Sequence, residues 1–148
     1  YGPRQSARAI IPTIITQVLN DQTEIKLGNV NPTRDLTFVK DTVAGFIAIS
    51  NAEKLIGEVT NIGMGKEISI GDLVDLIAKL METKIIVKSD VERIRPGASE
   101  VERLCCQNKK ILEVTDWKPS FTLEEGLAET IKWLKENNKL YKAGIYNV

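Results

Sequence analysis

Apolar residues fall at Ile10, Ile11, Ile14, Ile15, Val18 and Leu19, a three-and-four spacing that lays one stripe along a helix. Pro12 fits only in the first turn, where a missing N–H costs nothing, so this helix is expected to start near Ile11. The alternation Glu24-Ile25-Lys26-Leu27-Gly28 predicts an edge strand closed by a breaker, followed by a loop from Asn29 to Thr33. Leu36 to Val39 reads as extended. A second helix is expected from about Asp41 to Asn51, with Val43, Ala44, Phe46, Ile47 and Ala48 as its buried face.

Further on, Glu58 to Ile62 is expected as a strand, Gly63-Met64-Gly65 as a turn and Glu67 to Ile70 as a second extended stretch. Ser69 with Asp72 resembles a capping box opening a helix whose Leu73, Leu76, Ile77 and Leu80 keep the helical period. Lys84 to Lys88 predicts a compact strand, and Asp90 to Glu102, with Pro96 and Gly97, a loop. Thr122 and Glu125 are expected to cap a last helix carrying Leu123, Leu127, Ile131 and Leu134, after which Tyr141 to Val148 trails off. Strands and helices alternate without a repeat or a linker, which predicts one α/β layer domain of few, short strands spanning 1–148.

Composition narrows the chemistry. The 148 residues carry 20 Lys and Arg against 20 Asp and Glu, so no broad cationic field gathers phosphate backbones, and nucleic-acid binding is disfavoured. With no His, zinc catalysis is excluded, and acid/base work must rest on Asp, Glu, Lys, Tyr or Cys. The two cysteines, Cys105 and Cys106, are adjacent, which strains a bond between them and fits a reducing cytoplasm. No apolar run approaches the ~20 residues that span a bilayer, so no membrane role is expected. No glycine-rich dinucleotide fingerprint follows a strand, and Gly63-Met64-Gly65-Lys66 lacks the spacing of a phosphate loop.

Two arginines stand out because they sit in loops where a guanidinium can be aimed. Arg34 follows Asn31-Pro32-Thr33, and Arg95 precedes Pro96-Gly97. A planar guanidinium fork holds two oxygens of one phosphate, so the pair suits a nucleotide diphosphate. The alternative is a surface salt bridge, for instance Arg34 with Asp35 or Asp41.

Four stretches then point to a family: Tyr1-Gly2-Pro3-Arg4-Gln5, Arg34 to Asp41, Arg95-Pro96-Gly97, and Asp116-Trp117-Lys118-Pro119 followed by Leu123 to Leu127. In this order they resemble the C-terminal part of an extended short-chain dehydrogenase/reductase, and within it the NAD-dependent nucleotide-sugar epimerase/dehydratase family. Gly2 to Ile15 and Arg95 to Leu104 resemble in particular the 4,6-dehydratases of UDP-N-acetylglucosamine in legionaminic-acid type pathways.

The resemblance implies a small substrate-binding domain with the Rossmann half missing. It implies that Arg34 and Arg95 bind the diphosphate of a UDP-sugar and that Glu100 meets the ribose hydroxyls, with a solvated loop carboxylate as the alternative; Arg8 adds a third positive charge or faces water. Ile11 and Pro12 would line base and sugar, with a packing role as the alternative. Tyr1, Gly2 and Pro3 would lie at the cofactor, NAD. The catalytic Tyr-x-x-x-Lys pair and the dehydratase's acid/base carboxylates lie upstream of the Tyr-Gly-Pro stretch in this family, so the chain is expected to be truncated upstream of Tyr1. It would hold no catalytic residue and be inactive alone. The parent would be a cytoplasmic homodimer, a lyase.

Two departures from the family pattern are Gln107-Asn108-Lys109-Lys110 before a short helix, where Asn108 can still cap, and Thr115-Asp116-Trp117 in place of Leu-Gly-Trp. A relative using a GDP- or dTDP-sugar, and a non-catalytic interaction module, remain open. Trp117, Trp133, Tyr141 and Tyr146 are expected to pack or terminate helices, and Cys105 and Cys106 to be unactivated thiols.

Overall fold

Three of the expected apolar stripes meet in one core. In a computed structural model describing residues 1–90, 93 and 100–141, helix α1 runs Ile10–Leu19, helix α3 Ile70–Leu80 and helix α5 Leu123–Glu136. Ile11, Ile14 and Ile15 of the first, Leu73, Val74 and Ile77 of the second, and Leu127, Ile131 and Leu134 of the third form a buried cluster with Ile25 and Leu27. Burial of such side chains stabilises by about 1.5–3 kcal/mol each before entropy is counted. α1 starts one residue earlier than expected, which puts Pro12 third in the helix, still within the turn whose N–H groups lack intrahelical partners.

Local caps fix the other two helices. Ser69 Oγ accepts from the Asp72 N–H at 3.0 Å and donates to Asp72 Oδ2 at 2.6 Å. Thr122 and Glu125 close the full capping box: Thr122 Oγ1 accepts from the Glu125 N–H, and the Glu125 carboxylate accepts from the Thr122 N–H. Trp133 and Tyr141 pack against the core, edge to face with each other, and Trp117 is buried with its indole N–H donating to the Asp41 carbonyl at 3.0 Å.

Two small sheets flank this layer. Strand β1, Glu24–Leu27, pairs in parallel with β4, Ile86–Ser89. Its other edge is covered by the buried Gln17, whose Oε1 accepts from the Lys26 N–H at 2.9 Å and whose Nε2 donates to the Lys26 carbonyl. β1 is therefore an edge strand, as its alternation predicts, with its open side closed by an amide. The second sheet has the order β3-β2-β5: β2, Thr33–Arg34, runs antiparallel to β3, Ile68–Ser69, and parallel to β5, Arg103–Leu104.

Four expectations need correction. The ladder strand lies at Thr33–Arg34, and Leu36 to Phe38 leads without pairing into helix α2, Val39–Ser50, two residues earlier than expected. The face of α2 expected to be buried is exposed: Val43, Phe46 and Ile47 are 51%, 65% and 57% accessible, while Asp41 and Gly45 face inward. Glu58 to Ile62 forms no strand, because no strand edge among the described residues lies beside it, and Val59 is exposed. Asn108 precedes the short helix α4, Lys109–Val114, without capping it. Its amide donates to the Gly63 carbonyl at 2.8 Å, and Gln107 Oε1 accepts from the Lys109 N–H instead.

Candidate functional site

The two sheets end at a common cleft of about 400 Å³. The first turn of α1, the end of β1 at Gly28 and the central strand β2 wall it, and Arg8, Arg34, Arg93 and Glu100 line it. A larger hollow of about 700 Å³ shares Arg34 but is otherwise walled mainly by apolar and mixed side chains such as Leu36, Phe121 and Leu123. The smaller cleft is lined by three arginines, and that gathering of positively charged residues makes it the candidate anion site.

Arg34 is held by its own strand and by the segment that leads into β5. Its Nη1 donates to the carbonyls of Thr33, at 2.8 Å, and Val101, at 2.7 Å, and its Nη2 to Glu100 Oε1 at 3.1 Å. The pair is mostly buried, with side-chain exposures of 22% and 14%. Three of the five guanidinium N–H groups are engaged in these bonds, and the others remain for an oxyanion. The surface pairings open to Arg34 in the sequence do not form, since Asp35 and Asp41 hold backbone. Asp35 accepts the N–H groups of Met64, Gly65 and Cys106 at 2.8–3.1 Å, and Asp41 those of Ser120 and Phe121.

Behind Arg34, Glu67 ties the sheet together. It accepts from Thr33 Oγ1 at 2.7 Å and from Arg103 Nε at 2.6 Å, and these bonds hold its carboxyl below the usual range.

Helix α1 presents Ala9, Ile10 and Thr13 to the cleft, with Arg8 just before it. Ile11 and Pro12 are buried and are not among the residues that line the cleft. Arg95 lies outside the described residues. Arg93, two positions upstream in the same loop, is the residue that sequence reasoning passed over. Its spacing of three from Asp90 was the available signal, for Arg93 Nε donates to Asp90 Oδ2 at 3.1 Å.

Tyr1, Gly2 and Pro3 are built into the start of α2. The Tyr1 nitrogen donates to the Thr37 carbonyl, its carbonyl accepts from the Val39 N–H, and its hydroxyl donates to the Leu123 carbonyl at 3.1 Å. Burial first, then the charges of Asp41 and Glu124, push the Tyr1 hydroxyl up, away from a phenolate. Gly2 has φ of 154°, and a Cβ there would strike the Val39 side chain. The polar atoms of Tyr1 thus tie the start of the chain to α2 and α5. Cys106 is likewise unactivated: burial, then the Asp35 charge and Cys105, push its thiol up. No group of three or more His, Cys, Asp or Glu side chains suited to a metal stands together among the described residues. No helix among them is long and apolar enough to cross a membrane.

The α/β arrangement of few short strands and packed helices matches solved structures of nucleotide-sugar epimerases and dehydratases. A family model described as GDP-mannose 4,6 dehydratase matches residues 1–130, and the chain belongs to this family of the extended short-chain dehydrogenase/reductase type. Over 141 residues it is 33% identical to the UDP-N-acetyl-alpha-D-glucosaminuronate decarboxylase of Bacillus cytotoxicus, covering 92% of the chain and 44% of that protein. It also resembles the UDP-glucuronic acid 4-epimerase of Bacillus cereus, solved with UDP-glucuronic acid and NAD. There the TM-score is 0.82 at 28% identity, over 95% of the chain and 43% of that structure. The dTDP-glucose 4,6-dehydratase of Bacillus anthracis, solved with NAD, gives a TM-score of 0.81 at 27% identity over 95% and 43%. The chain thus spans less than half the length of the relatives it matches.

Proposed function

We propose that the chain is the substrate-binding portion of an NAD-dependent nucleotide-sugar 4,6-dehydratase, acting on a UDP-sugar of the UDP-N-acetylglucosamine kind. The observation that carries the reading is Arg34, fixed in a central strand and facing a cleft that also holds Arg8 and Glu100. A diphosphate offers charge and paired oxygens that match planar forks, and Glu100 keeps one carboxylate oxygen for the ribose hydroxyls while the other holds Arg34. Arg95 retains its assignment beside Arg34 from the resemblance. The hydride chemistry of the reaction would be supplied by NAD, bound mainly through residues outside these 148, with Tyr1, Gly2 and Pro3 assigned beside it from the resemblance. What this chain contributes is binding, orientation and charge neutralisation, which position the sugar for residues elsewhere in the protein.

The rest of the longer protein is proposed to pack on α2, where Val43, Phe46 and Ile47 present an apolar face; relatives supply more than half their length beyond the matched region. The parent is proposed to be a cytoplasmic homodimer. The test is titration of UDP against the full-length protein. Arg34→Ala should weaken binding about 10- to 100-fold, the value of a charge-assisted bond. Unchanged affinity overturns the reading, and competition with GDP and dTDP decides the base.

A further inference from the structure

The strand β1 ends at the cleft, and what stands there is Arg93. The turn that carries it is fastened to β1 at one point and closed on itself by two further bonds. The Asp90 N–H donates to the Leu27 carbonyl at 2.8 Å, the Arg93 N–H to the Asp90 carbonyl at 3.0 Å, and Arg93 Nε to Asp90 Oδ2 at 3.1 Å. Gly28 is needed for this approach, because a Cβ at that position would strike the Arg93 carbonyl oxygen. Arg93 and Asp90 are only 14% and 19% exposed. An arginine this restrained on the wall of a cleft has lost much of the rotamer freedom that binding would otherwise cost.

The cleft thus takes one guanidinium from each sheet: Arg34 from the centre of the three-stranded sheet, Arg93 from the end of the parallel pair. We infer that Arg93, aimed by Asp90, is a second diphosphate anchor, so that a bound nucleoside diphosphate bridges the two sheets. Asp90 acts through Arg93 as a positioning residue. The inference rests on the nucleotide reading above and adds to it a residue and a geometry.

The experiment compares UDP with uridine on the full-length protein by calorimetry, alongside melting temperature. Arg93→Ala should weaken UDP about 10- to 100-fold and leave uridine within about twofold, since the nucleoside carries no phosphate for the fork. Arg93→Lys, which keeps the charge on a flexible stem, should fall between, and Asp90→Asn should weaken UDP less than Arg93→Ala does. Equal losses for UDP and uridine, with a lowered melting temperature in Arg93→Lys as well, would make Arg93 structural and overturn the inference. If Arg34→Ala weakens UDP while Arg93→Ala and Arg93→Lys do not, the second anchor is wrong and the nucleotide site stands. If neither arginine matters, the nucleotide reading itself fails.

Discussion

Helices α2 and α3 carry apolar residues of similar number, yet one is buried and the other is bare. Leu73, Val74 and Ile77 of α3 lie at 0–2% exposure against α1 and α5, whereas Val43, Phe46 and Ile47 of α2 exceed 50%. What holds α2 in place is polar: the buried Asp41 carboxylate accepts two backbone N–H groups, and the Asp41 carbonyl accepts the Trp117 indole. Periodicity tells which side of a helix is apolar; it does not tell what covers that side. In α3 the cover is within the chain. In α2 it is assigned above to the remainder of the longer protein.

The contrast breaks most readily at the core. Leu73→Ala should cost about 2.7–5 kcal/mol in urea unfolding, because a fully buried side chain leaves a cavity its neighbours fill only partly. Phe46→Ser should cost under about 0.5 kcal/mol in the 148-residue chain, as surface changes do. In the full-length protein the same Phe46→Ser should cost several times more. Equal small costs in both would show that nothing packs on α2.

Asp41→Asn comes next. The amide keeps one acceptor oxygen for the N–H groups of Ser120 and Phe121 and strands the other donor, at about 1–3 kcal/mol. A cost near zero would mean that α2 is held by something other than this polar anchor.

Legibility in the sequence followed the range of the signal. α3 and α5 were readable because Ser69 with Asp72 and Thr122 with Glu125 act within three residues. Glu58 to Ile62 forms no strand because β-propensity expresses a fit to a neighbouring strand, and among the described residues none lies beside it. At the site, Arg34 was legible as a loop arginine ahead of an extended stretch, but its partner Glu100 is 66 residues away and no local rule pairs them. Arg93 was hidden for the same reason: what aims it is the end of β1, reached only through the parallel pairing of β1 with β4. The resemblance placed residues 1–3 at a cofactor. The packing of the Tyr1 ring 5.5 Å from that of Phe38, with its hydroxyl on the Leu123 carbonyl, joins positions far apart in the chain and has no local sequence signal.

That Tyr1 hydroxyl gives the smallest effect and ties the two regions together, since its ring packs against Phe38 at the start of α2 and its hydroxyl reaches Leu123 at the start of α5. Burial and the nearby carboxylates of Asp41 and Glu124 raise its folded pKa above the ordinary value near 10. The folded state therefore keeps a proton that the unfolded chain releases. The stabilisation is present in full below about pH 10 and is lost as pH rises from there through the higher folded value. At neutral pH Tyr1→Phe should cost about 0.5–1 kcal/mol for the lost bond to Leu123. Above pH 10 the variant should lose stability less steeply than the parent, with Tyr141 and Cys106, both raised first of all by burial, contributing to the slope that remains. Chemical denaturation at pH 8, 10 and 11 reads this directly. Parallel curves for Tyr1→Phe and the parent would mean that the hydroxyl ionises in the folded state as freely as in water, and that the junction between α2 and α5 is open to solvent.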